Sequence, residues 1–94
     1  VLPRAIGSGR GDETLYDHNF CLSAARGPLR QAAWAQGAAS GIELEVWTTE
    51  PGLQFFTGHF PDRETPGLGG VAYRSRAGFC LEPQIWPDSP NRPY

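Results

Sequence analysis

The 94-residue sequence contains no Met and no Lys, only two Cys and two His, and no long apolar run. Each scarcity excludes something. With no Lys, the eight basic residues are all Arg, scattered along the chain and outnumbered by ten acidic ones. The net charge of −2 leaves no basic patch of the kind that holds nucleic acid. No stretch approaches the ~20 apolar residues of a membrane span, and the N-terminus lacks the layout of a signal peptide. A cytoplasmic protein with no membrane or nucleic-acid partner is expected. Cys21 and Cys80 form no CxxC and no Cys/His cluster, so neither a disulfide framework nor a zinc site is indicated, and both are expected as buried free thiols. The lack of Met, even at position 1, is what an internal piece of a longer product would show.

What the chain has in quantity is Gly and Pro, twelve and nine residues placed at intervals between short apolar runs. That punctuation predicts an all-β chain in which helix is the minority. Residues 1–14, rich in Gly, Ser and charge, read as a loop. From 16 to 22, Tyr16, His18, Phe20 and Leu22 fall on one parity and Asp17, Asn19 and Cys21 on the other, the period of a strand. Residues 29–36 and 42–49 predict a hairpin with Gly41 in its loop; Ile42, Leu44, Val46 and Thr48 alternate there with Glu43, Glu45, Trp47 and Thr49. Pro51 and Gly52 suit the central positions of a type II turn, after which 53–57 can run as a further strand. A long irregular connection over 58–70 follows, then a last strand over 78–84. The Pro-rich stretch 86–94 cannot pair as a central strand and is expected to wrap the surface as extended chain.

Three polar residues stand on the polar parity of these strands beside aromatics: Asp17 near Phe20, Gln54 near Phe55 and Phe56, and Glu82 between Leu81 and Trp86. Carboxylates and amides that fix hydroxyls, next to aromatic faces on which the C–H side of a ring can lie, suit a sugar. A solvated sheet face gives the same pattern.

The runs Tyr16-Asp17-His18-Asn19-Phe20, Leu44-Glu45-Val46-Trp47-Thr48-Thr49-Glu50-Pro51-Gly52-Leu53-Gln54-Phe55, Gly78-Phe79-Cys80-Leu81-Glu82-Pro83-Gln84 and Pro87-Asp88-Ser89-Pro90-Asn91 resemble, in order and spacing, the C-terminal motifs of aldose 1-epimerases. The resemblance implies a galactose mutarotase-like β-sandwich, mostly antiparallel, of which residues 1–94 are one partial domain truncated at both ends. It implies an isomerase that interconverts the α and β anomers of hexoses of the glucose and galactose class without a cofactor. Glu82 matches the family's general base and Asp17 and Gln54 its sugar-binding residues. A buried strand position is expected for Glu82. The histidine that supplies the acid lies in a segment N-terminal to this sequence, so the isolated chain is expected to be inactive. His18, on the apolar parity, and His59, where the family usually has Asn, do not match it; Phe56 stands where Tyr is common. The alternatives are a non-catalytic carbohydrate-binding β-domain and an inactive truncated product.

Other clusters have simpler explanations. Glu43, Glu45 and Glu50 surround Trp47 like a paired-carboxylate glycosidase site, but alternation makes Glu43 and Glu45 a solvated face. His59 and Asp62 lack a third ligand for a metal. Arg74 and Arg76 flank Ser75 and could touch an anionic sugar, and Cys80 has no base as partner and reads as packing.

Overall fold

A computed structural model describes residues 15–62 and 64–92 of the chain. The loop expected over 1–14 lies outside the described residues. Those described form an all-β, antiparallel structure of five strands and two short 3₁₀ turns. In chain order the strands are β1 (Asp17–Cys21), β2 (Arg30–Gln36), β3 (Glu43–Thr48), β4 (Gly52–Phe56) and β5 (Cys80–Gln84). Each falls inside a run predicted from alternation or lies within a residue of it. Among the described residues no helix is long and apolar enough to cross a membrane.

β2 and β3 pair as the predicted hairpin, with a bulge between Gln31 and Ala33. The loop closes with Gly41 at φ 73° and its N–H donating to the Gly37 carbonyl (2.8 Å). Of the alternating residues in β3, Thr48 is buried and Val46 half-buried, whereas Glu43, Glu45 and Trp47 are exposed. The three glutamates are not a paired-carboxylate site. Glu43 accepts from Gln36 Nε2, Glu45 from Trp47 Nε1, and Glu50 holds the Arg26 Nε at 2.9 and 3.0 Å.

The other sheet has the order β1-β4-β5, so β4 is its central strand. A corner at 49–51 carries the chain from the hairpin into it. Pro51 is fully buried there, and its carbonyl accepts the N–H groups of Leu22 (2.8 Å) and Ser23 (3.2 Å). The corner is not a type II turn at Pro51-Gly52. Gly52 lies in β4 without a positive φ, and a Cβ on it would stand 2.9 Å from Asn19 Oδ1 and 3.0 Å from the Gln84 carbonyl oxygen. Glycine is required at 52 for close approach across the sheet, not for a left-handed turn.

Leu53, in β4, is the buried hydrophobic residue among those described, at 5% exposure. On its face of the sheet, Tyr16 stacks on Phe55 (ring centroids 5.3 Å apart) and Phe79 meets Phe55 edge-on (6.2 Å). Thr57, buried at the end of β4, ties this layer to the start of β1: its Oγ1 accepts the Tyr16 N–H (3.1 Å) and bonds His59 Nδ1 (2.7 Å). The connection over 58–70 is irregular as expected, with a 3₁₀ turn at Leu68–Gly70 and an isolated bridge between Pro66 and Ala72.

Two further expectations fail. The segment after β5 is not extended: Ser89–Asn91 form a 3₁₀ turn, because Asp88 accepts from Asn91 Nδ2 (2.9 Å) and Arg92 Nε (2.7 Å) and pulls the chain round. Cys21 and Cys80 are free but exposed, since each stands on the polar parity of its strand, away from the Leu53 side.

Candidate functional site

Paired residues of an antiparallel sheet project to the same side, and alternate residues of one strand share a face. The register therefore assigns every side chain of the β1-β4-β5 sheet. Asp17, Phe56 and Cys80 form one row across the three strands; Asn19, Gln54 and Glu82 form the next; Cys21, Gly52 and Gln84 form the third. Phe20, Leu53, Phe55, Leu81 and Pro83 take the opposite face. The polar parity read from the sequence thus becomes one continuous polar face.

That face floors an open cavity of about 420 Å³ lined by Asp17, Gln54, Phe56, Glu82, Gln84 and Pro87. Its volume is in the range of small-molecule pockets. All three residues singled out from the sequence line it. Gln54 Nε2 donates to Asp17 Oδ1 at 2.8 Å, a diagonal contact between neighbouring rows that orients both groups. Glu82 is the direct register partner of Gln54, so the carboxylate and the amide stand side by side. Glu82 is exposed, not buried, because β5 is an edge strand among the described residues and the Leu53 layer lies on the other face. Asp17 is exposed as well, while Gln54 and Phe56 are half-buried.

Of the aromatics expected beside the polar residues, Phe56 alone lines the cavity. Phe20 and Phe55 pack on the reverse of the sheet, and Pro87 takes the place expected of Trp86. Adjacency in sequence misled here because neighbours along a strand face opposite ways.

Neither described histidine lines the cavity. The Nδ1 of His18 accepts the Asp17 N–H (3.0 Å), and its ring meets Tyr16 edge-on at 5.7 Å. His59, half-buried, bonds Thr57 and lies 4.9 Å from the Phe56 ring. Asp62 accepts the Ser75 N–H (2.7 Å) and faces Arg74 at 3.6 Å, so this carboxylate and guanidinium are occupied with each other. Among the described residues no group of three His, Cys, Asp or Glu is placed to hold a metal ion.

Sequence reasoning did not single out Gln84. Gln84 lines the cavity, and its Nε2 donates to Asn19 Oδ1 at 3.2 Å across the space left by Gly52. The parity of Asn19 was visible; that it meets a residue 65 positions away depends on two strand registers at once.

With acceptor carboxylates, amides and one ring around an open cavity, the arrangement can bind a polyhydroxylated molecule and exchange protons with it. Comparison with known proteins bears on which. The family model described as aldose 1-epimerase matches residues 3–94. The galactose mutarotases of Bos taurus and Homo sapiens are 48% and 49% identical to this chain over 79 and 78 residues, covering 84% and 83% of it. The aldose 1-epimerase of Escherichia coli K12 is 41% identical over 78 residues, 83% of this chain. The matched segments amount to 22–23% of those relatives, so the chain spans under a quarter of their length.

Proposed function

Because this chain belongs to the aldose 1-epimerase family, we propose that it supplies the general base and one wall of a site that interconverts the α and β anomers of a hexose. The observation that carries the reading is the convergence of Asp17, Gln54 and Glu82 on one cavity from three separate strands. Glu82 takes the proton from the anomeric hydroxyl, and that C–O bond becomes the carbonyl of the open-chain sugar. The bond between the anomeric carbon and the ring oxygen breaks, and its electron pair on the ring oxygen is protonated by a general acid. Rotation about C1–C2 turns the other face of the carbonyl to the ring hydroxyl, and the same two proton transfers run in reverse to give the other anomer. Proton transfer alone balances the reaction.

Asp17 and Gln54 hold sugar hydroxyls, the carboxylate as acceptor and the amide as donor and acceptor, with their mutual bond setting the angle of both. The ring of Phe56 offers an apolar surface to the C–H side of the pyranose. The acid is a histidine contributed by polypeptide outside these 94 residues. His18 is turned to the other face of the sheet, and His59 is engaged by buried Thr57. The isolated chain is therefore a sugar-binding wall that does not turn over. A cytoplasmic, reducing compartment suits its two exposed thiols.

Polarimetry of freshly dissolved α-glucose and α-galactose tests the reading. The product of the whole gene accelerates the decay of rotation, and Glu82→Gln slows it by about 10²–10⁴-fold. Equal rates for the two proteins refute the base role. The 94-residue chain by itself leaves the rate at that of buffer.

A further inference from the structure

We infer that Gln84, anchored by Asn19 through the gap at Gly52, is a further substrate-positioning residue of this site, gripping the hexose on the side of Glu82 remote from Asp17. The inference rests on the sugar-site reading and adds a residue to it. Glu82 stands in the middle row of the polar face, with Asp17 in the row on one side and Gln84 in the row on the other. Gln84 is two residues beyond Glu82 on the same strand and face, about 7 Å along it.

A glutamine at the lip of an open cavity is ordinarily free to rotate, and ordering it on a ligand costs side-chain entropy. Here it is already held. Both Gln84 and Asn19 are half-buried, and the Gln84 amide nitrogen is committed to Asn19 Oδ1. An amide carries two donors and an acceptor, so one N–H and the carboxamide oxygen of Gln84 remain for a hydroxyl. The device depends on Gly52: any side chain there meets Asn19 Oδ1 at 2.9 Å and Nδ2 at 3.2 Å and pushes the anchor off its partner.

Titration of the 94-residue chain with galactose and with glucose, followed by the side-chain amide NMR signals of Gln54 and Gln84, tests this. Both amides shift with one saturation curve; Gln84→Leu weakens binding about fivefold, and Gln84→Glu, which keeps an acceptor but cannot donate to Asn19 Oδ1, weakens it about threefold. A response at Gln54 with none at Gln84, or wild-type affinity in Gln84→Leu, overturns the inference and leaves the sugar site standing. Silence at both amides overturns both. Should Leu at 84 unfold the chain, Asn19→Ala removes the anchor without touching the cavity lining and weakens binding about threefold; unchanged affinity overturns the inference.

Discussion

Leu53 sits in β4, the central strand, between Phe20 of β1 and Pro83 of β5, on the reverse of the polar face, and truncating it to alanine removes the side chain around which that reverse is packed. At 5% exposure nearly all of its transfer free energy is at stake. Leu→Ala in a sealed core costs about 2–5 kcal/mol, the upper part arising from a cavity that cannot collapse. Here the neighbours Phe20, Phe55 and Leu81 are only half-buried and can close in, so the expected loss is about 2–3 kcal/mol. Among the described residues eleven large hydrophobic side chains, Trp34, Ile42 and Leu68 included, are exposed, so the expected stability of the isolated chain is about 5 kcal/mol or less, the low end for its length. Leu53→Ala thus removes about half or more of it. Urea unfolding followed by the fluorescence of Trp34, Trp47 and Trp86 measures the change, with Leu44→Ala as the comparison. Leu44 is 45% exposed, and its truncation costs under about 1 kcal/mol. Equal losses at 44 and 53 refute the claim that the sheet is organised around Leu53.

Three further outcomes are expected. Thr57→Val keeps the shape of a buried side chain but leaves the Tyr16 N–H without its acceptor, lowering the urea midpoint by the equivalent of about 1–3 kcal/mol; a shift within error refutes that role. The Arg92 guanidinium, and after it the Asn91 amide, hold the Asp88 carboxyl below its ordinary value of 3.8, so the 3₁₀ turn at Ser89–Asn91 gains stability that is complete above that value and is lost as pH falls through the depressed one. Carboxyl NMR titration follows this, and Arg92→Ala brings the Asp88 midpoint back up. Cys21 and Cys80 are both exposed, so a thiol reagent labels two groups per chain without denaturant, and fewer than two contradicts their placement.

The strands were legible because each is a half-buried ribbon whose two faces differ in polarity, and a period of two survives in the residues without knowledge of the partner strand. The same periodicity put Asp17, Asn19, Gln54 and Glu82 on polar parities, which is why the polar face could be foreseen. What failed was whatever depends on contact at a distance. Gly52 after Pro51 has the local signature of a turn, yet its glycine is explained by Asn19, a residue of another strand. The expected burial of Glu82 and of the two cysteines presumed a layer over the polar face, whereas the layer among the described residues lies behind it. The turn at 88–92 had a local cue, an Asp followed by Asn and Arg at three and four positions, masked by the Pro residues that argued for extended chain.

The placement of Glu82 rests on register, and one residue fixes that register more than any other. A slip of β5 by one position would carry Leu81 and Pro83 onto the polar face and turn Glu82 and Gln84 to the aromatic side. On an edge strand alternate N–H groups point into the ladder and away from it. Proline, having no N–H, is tolerated only where its nitrogen points away. Pro83 pairs with Leu53, so β5 is among the described residues an edge strand in the one phase that loses no ladder bond at 83. Slipping by one turns the Pro83 nitrogen toward β4 and leaves a β4 carbonyl without its donor, at a cost of about 1–3 kcal/mol before any side chain is misplaced. The adjacent pair Glu82-Pro83 therefore carries its own alignment: the imino acid sets the phase of the strand, and the phase sets the carboxylate beside Gln54.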